Sequence, residues 1–122
     1  MTACDGSGRD TSSDRNTLFG GRGDDIVVGA NGTDSVRGDS GHDCIGGGKG
    51  SDRLYGSAGK DLLLGRKGND RVFGGKAADR LLGHRGADTL NSVGDGVADY
   101  VDGGRKKDQC NVDPKDEILN CP

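Results

Sequence analysis

From residue 20 onward, glycine returns at every ninth position: Gly20, Gly29, Gly38, Gly47, Gly56, Gly65, Gly74 and Gly83. The same frame fits residues 20–91 without a gap and fixes three further positions. The sixth residue is always aspartate: Asp25, Asp34, Asp43, Asp52, Asp61, Asp70, Asp79 and Asp88. The eighth is always aliphatic: Val27, Val36, Ile45, Leu54, Leu63, Val72, Leu81 and Leu90. The fourth is glycine except at Ala77. A unit this short cannot bury its one apolar side chain alone, so strict repetition means that units stack and bury a core between neighbours.

Each unit has two physical halves. Its first six residues are polar and glycine-rich, suited to a turn that visits positive φ. Its last three centre on the aliphatic residue, the period-two pattern of a short strand. The aliphatic side chain then points inward and its neighbours outward, so Ile26, Leu62, Leu64, Phe73 and Leu82 are expected to be partly exposed. Only 30% of the chain is hydrophobic and 3% aromatic, against 25 glycines. So thin a core cannot offset the entropy of ordering a glycine-rich chain, and another source of free energy is needed.

The pattern G-G-x-G-x-D-x-U-x, with U a large aliphatic, resembles the RTX, or hemolysin-type, calcium-binding nonapeptide repeat. The resemblance implies an all-β fold: a right-handed parallel β-roll (a β-solenoid) with two nonapeptide repeats per coil. Residues i and i+18 then stack about 4.8 Å apart. Eight repeats occupy residues 20–91, between an N-terminal cap over 1–19 and a C-terminal cap over 92–122. Upstream, Asp5-Gly6-Ser7-Gly8-Arg9-Asp10 repeats the turn half of the motif, with Ser12 at the apolar place. Downstream, Asp99-Tyr100-Val101 and Asp108-Gln109-Cys110 keep the Asp-x-U spacing after the register slips.

Stacking places Asp25, Asp43, Asp61 and Asp79 in one carboxylate ladder and Asp34, Asp52, Asp70 and Asp88 in another. Bare carboxylates this close repel, and a divalent cation between them reverses the sign. Calcium suits the arrangement because it takes six to eight hard oxygens in irregular geometry, whereas magnesium demands a tight octahedron. Zinc and iron prefer His and Cys, which do not recur in the repeat. The resemblance places Ca2+ between consecutive turns, bound by these aspartates and by carbonyls of the glycine turns. The candidate glycines are Gly20, Gly23, Gly29, Gly32, Gly38, Gly41, Gly47, Gly50, Gly56, Gly59, Gly65 and Gly68. Counting i, i+18 pairs gives about six complete sites. The bland alternative is that each aspartate caps backbone amides and no more. Ala77 in the left-handed place, and Arg66 and His84 at the second position, weaken the turns that contain them.

Position three is basic in five repeats: Arg22, Lys49, Lys67, Lys76 and Arg85. They read as solvated turn tips that soften the ladders, because the net charge is −3 and no aromatics interleave them for nucleic acid. His42 and His84 read as exposed turn residues. No catalytic motif of the HExxH, GxSxG or P-loop kind is present, so the chain is not expected to be an enzyme. No stretch is apolar enough to span a membrane. An ice-binding solenoid is the rival class, but Asn31, Thr33 and Asn69 form no row. Four cysteines allow three pairings; Cys110–Cys121 and Cys4–Cys44 are expected, with Cys44 facing outward, and both suit an oxidising setting. The expectation is a secreted, monomeric module that folds on binding calcium. It is either part of a larger exported enzyme or toxin or a self-standing matrix or adhesion protein. The opening Met1-Thr2-Ala3-Cys4-Asp5 does not look like a signal peptide.

Overall fold

The computed structural model describes residues 17–29, 31–93 and 97–121, and among these it contains twelve short strands and no helix. They are β1 (Thr17–Gly21), β2 (Ile26–Val28), β3 (Ser35–Asp39), β4 (Cys44–Lys49), β5 (Arg53–Ser57) and β6 (Leu62–Lys67), followed by β7 (Arg71–Gly75), β8 (Arg80–Arg85), β9 (Thr89–Asn91), β10 (Tyr100–Asp102), β11 (Gln109–Asn111) and β12 (Glu117–Leu119). Odd strands form one sheet in the order β1-β3-β5-β7-β9-β11, and even strands the other, β12-β10-β8-β6-β4-β2. Every ladder is parallel, and Val36 pairs Leu54 as Ile45 pairs Leu63, two repeats apart. The fold is therefore a parallel β-roll with two repeats per coil, as the family resemblance implied.

Between the sheets lies a column of single aliphatic side chains. Val27 is 8% exposed, and Val36, Ile45, Leu54, Leu63, Val72, Leu81, Leu90 and Val101 are 0%. All eight position-eight residues are thus buried. The array also runs past the strict frame at both ends. Leu18 on β1 pairs with Val36 and packs on the core, as do Cys110, Val112 and Cys121. The upstream copy expected around residues 5–12 lies outside the described residues.

The outer faces depart from simple alternation. Ile26 is exposed, and Leu62, Phe73 and Leu82 are half-buried, as expected. Leu64 and Cys44, however, are buried on the outer face of the even sheet, in a small second cluster with Val28, Leu62 and Leu82. Two causes act here. Side chains on adjacent rungs of a parallel sheet shield one another, and Cys44 carries a disulfide on this face. Its expected partner Cys4 lies outside the described residues. The Cys110–Cys121 bridge is present, with Cα atoms 5.8 Å apart. On the odd sheet, Tyr55 and Phe73 stack at 5.1 Å, and the Arg37 guanidinium lies over Tyr55.

Near the C-terminus the repeat length changes while the stacking persists. Val101 pairs with Leu81 and Cys110 with Leu90, each a separation of 20 residues rather than 18. Ile118 then pairs with Val101 at a separation of 17. The extra or missing residues are absorbed in the turns.

Candidate metal centre

The turns owe their shape to two kinds of glycine. Positive φ falls at positions two and four, for example Gly21 and Gly23 or Gly48 and Gly50. Where those positions are not glycine the conformation is kept: Asp39, Ser57, Arg66 and His84 at position two, and Ala77 at position four, have φ between 72° and 78°. The position-one glycines have a different reason. A Cβ on Gly47 would stand 2.6 Å from Asp52 Oδ2 and 3.0 Å from the Gly65 carbonyl oxygen of the next coil. Gly29 repeats this with Asp34 Oδ2 and the Gly47 oxygen, Gly56 with Asp61 and Gly74, and Gly65 with Asp70 and Gly83. Here glycine is required for space: one point between coils is ringed by a carboxylate oxygen and a peptide oxygen.

The aspartate carboxylates divide their two oxygens between two tasks. Oδ1 accepts a hydrogen bond from the backbone N–H of the aspartate one coil earlier. Asp25 donates to Asp43 at 2.9 Å, Asp43 to Asp61 at 2.8 Å, and Asp61 to Asp79 at 2.8 Å. On the other edge Asp34 donates to Asp52 at 2.8 Å, Asp52 to Asp70 at 2.8 Å, and Asp70 to Asp88 at 2.7 Å. The aspartate thus does cap an amide, as the bland reading held, but with one oxygen. The other, Oδ2, is buried without a hydrogen-bond partner in Asp25, Asp43, Asp52, Asp61, Asp70, Asp88 and Asp108. Burial of an acceptor with nothing to accept from is unfavourable, and repeated along both ladders it calls for a ligand.

Charge agrees with geometry. Burial pushes Asp70 up to about 8, and Asp52, Asp61 and Asp88 up to about 7. The hydrogen bond from the preceding coil works against this rise, and repulsion from the neighbouring carboxylate adds to it. Asp43 and Asp108 are raised by the same burial. A row of carboxylates held this way favours either protons or a cation. The donor set is oxygen throughout, which suits a hard divalent ion such as calcium. Among the described residues no three His, Cys, Asp or Glu side chains gather as a metal cluster, so peptide oxygens or water would have to complete any coordination shell. Asp34, Asp52 and Asp70 lie at the floor of an open cleft of about 550 Å³ with Thr33, Ser51 and Asn69, so this ladder, though buried, is close to solvent.

All eight sequence-predicted aspartates fall in the two ladders. Of the candidate glycines, those at position one (Gly20, Gly29, Gly38, Gly47, Gly56 and Gly65) lie against their own Asp Oδ2. Those at position four form a separate column, in which the carbonyls of Gly23, Gly32, Gly41, Gly50 and Gly68 point along the axis at the next coil. The sequence frame stopped short of three ladder members. Asp79 donates to Asp99 Oδ1 at 2.7 Å, Asp88 to Asp108 at 2.8 Å, and Asp99 to Asp116 at 2.9 Å. Asp116-Glu117-Ile118 carries the Asp-x-aliphatic signal that could have revealed the last. Asp116 differs from the others, because its Oδ2 accepts from Ser92 Oγ at 2.6 Å and from the Asp113 N–H at 2.7 Å. The ladder therefore ends on a carboxylate satisfied by protein alone.

No curated relative and no solved structure matches the chain. The family model for the RTX calcium-binding nonapeptide repeat matches in four copies, over residues 10–45, 45–72 and 55–90. With that match spanning most of the chain and the aspartate ladders in place, the chain belongs to the RTX calcium-binding repeat family.

Proposed function

We propose that this chain is an exported, non-catalytic module that orders itself on binding Ca2+, with ions held between consecutive turns on both edges. The observation that carries the reading is the row of buried Oδ2 atoms without hydrogen-bond partners, with the peptide oxygen of the next position-one glycine close by at Asp25, Asp52, Asp61 and Asp70. The residues that would hold the ions are Asp25, Asp43, Asp61, Asp79 and Asp99 on one edge, and Asp34, Asp52, Asp70, Asp88 and Asp108 on the other. Position-one glycine carbonyls join them. Neighbouring pairs give eight positions, two more than the strict frame implies; the Asp99/Asp116 pair is left out because Asp116 is already satisfied.

Bound calcium would supply positive charge to carboxylates that burial otherwise disfavours as anions. Since an ion bound only by the folded state shifts the equilibrium toward it, folding follows calcium concentration. A calcium-poor cell would keep the chain unfolded, and calcium outside would order it. The Cys110–Cys121 bridge supports an oxidising compartment. Calcium titration followed by far-UV circular dichroism and calorimetry tests the reading. A cooperative gain of β-signal with about eight ions is expected; full β-signal in chelator would reject it.

A further inference from the structure

The basic residues of position three do not spread evenly over the roll. Along the edge of the Asp34 ladder they are Lys49, Lys67, Arg85 and Arg105, joined by Arg66 and His84 at position two. Strand register stacks Lys49 on Lys67 and Lys67 on Arg85, with Arg66 on His84 beside them. Successive members are one rung apart, about 4.8 Å. Lys49, Lys67, Arg85, Arg105, Lys106 and Lys107 are exposed. Gly48, Lys49, Arg66, Lys67, His84 and Arg85 line one open groove of about 390 Å³. The opposite edge has Arg22, Ser40, Ala58 and Lys76 at position three, with Asp24 and Asp39 nearby.

Neutralising the aspartate ladder does not account for this row. The carboxylates are buried while the basic groups stand in solvent. On the calcium reading, from which this step follows, one divalent ion per inter-coil space already exceeds one carboxylate per rung. Stacked like charges also repel. Arg66 and His84 hold φ of 74° and 75°, where Gly48 and Gly104 serve in neighbouring coils; a side chain in that conformation is strained. Asp39, Ser57 and Ala77 carry the same strain on the opposite edge, so it is the stacked like charge gathered on this edge that marks a surface shaped for something other than stability.

We infer that this edge docks a linear anionic polysaccharide, laid along the roll axis across Lys49, Lys67, Arg85 and Arg105. A straight, evenly stepped row of cations fits a polymer that carries carboxylate or sulfate on successive rings. Single-stranded nucleic acid fits less well, because the groove-lining residues include no Phe, Tyr or Trp, and the one His84 imidazole gives no succession of rings for bases to stack on. An anionic membrane would call for apolar groups to insert beside the charges, and the groove lining has none.

The test uses the full chain in calcium, with heparin as the probe and binding followed by calorimetry at increasing salt. Binding that weakens with salt is expected. The Lys49→Gln, Lys67→Gln, Arg85→Gln triple variant should bind about a hundredfold more weakly, from the contribution of each basic group near an anionic surface. Its calcium-induced β-signal should match the parent. A triple variant of the other edge, Arg22→Gln, Lys60→Gln, Lys76→Gln, should keep full binding. Absent binding, equal binding by the first variant, or equal loss in the second overturns the inference. So does tighter binding to oligo-dT or to phosphatidylserine vesicles than to heparin. A parent that stays folded in chelator sinks the calcium reading separately, and heparin binding is then judged on that calcium-free fold.

Discussion

Replacing Asp70 by asparagine should change stability in opposite directions with and without calcium. Asparagine keeps an Oδ1 to accept the Asp52 N–H, now bonded at 2.8 Å, but turns the partnerless Oδ2 into an amide nitrogen. In calcium the variant loses a ligand from the 52/70 and 70/88 positions. An ion present at a hundredfold its Kd contributes about 2.7 kcal/mol, so losing two costs about 5 kcal/mol. In calcium-stripped buffer the sign reverses. Asp70 is raised by burial to about 8 from an ordinary 3.8, so the folded form prefers the proton and the unfolded form does not. Stability is therefore lost as pH rises from about 4 to 8. At pH 7 removing this acid relieves at most about 4 kcal/mol, and less to the extent that solvent in the open cleft screens the charge. Far-UV circular dichroism from pH 4 to 9 without calcium should show β-signal gained on acidification, with the midpoint shifted to higher pH in Asp70→Asn. Calorimetry in calcium should count two fewer ions. Equal destabilisation in both buffers, or an unchanged ion count, would refute the reasoning.

The turns and the cap give three further expected outcomes. Ala77→Gly should stabilise the calcium-loaded protein by about 0.5–1 kcal/mol, since relief of a left-handed alanine exceeds the added entropy of glycine; thermal melting should rise by about 2–4 °C. Gly47→Ala should remove at least one ion from the calorimetric count, because its methyl would press on Asp52 Oδ2 and the Gly65 oxygen. Replacing Cys110 and Cys121 by serine should lower stability by about 3 kcal/mol in urea unfolding, from a bridge spanning 11 residues.

The repeat made the inside of this roll legible and left its exceptions hidden. Val36, Leu54 and Leu90 are buried because period two and period nine leave each aliphatic one place to go. Asp52 and Asp70 fall in one column because two repeats make a coil, which the family resemblance supplied and the period alone did not. What spacing does not carry is direction: it could not say that Oδ1 would take an amide and Oδ2 would be left over. Nor does a gapless frame survive the two added residues that move Asp99 and Asp108 to a separation of 20, although stacking tolerates them in the turn. Ser92 locks Asp116 across 24 residues, a pairing that no local pattern encodes. Leu64 and Cys44 are buried on a face that alternation assigned to solvent, because contacts across rungs are not written in one strand.

The amide-to-carboxylate bonds all run the same way: each aspartate N–H reaches forward to the carboxylate of the following coil. The two ends of the roll are consequently unequal. Along the ladders, trimming the first coil frees a carboxylate oxygen, which water readily satisfies, although in the sheet it also strips the Cys44 N–H of the Asp25 oxygen 2.8 Å away. Trimming the last strips a buried ladder amide of its carboxylate acceptor at every new end, so the ladders, unlike the sheets, carry an arrow.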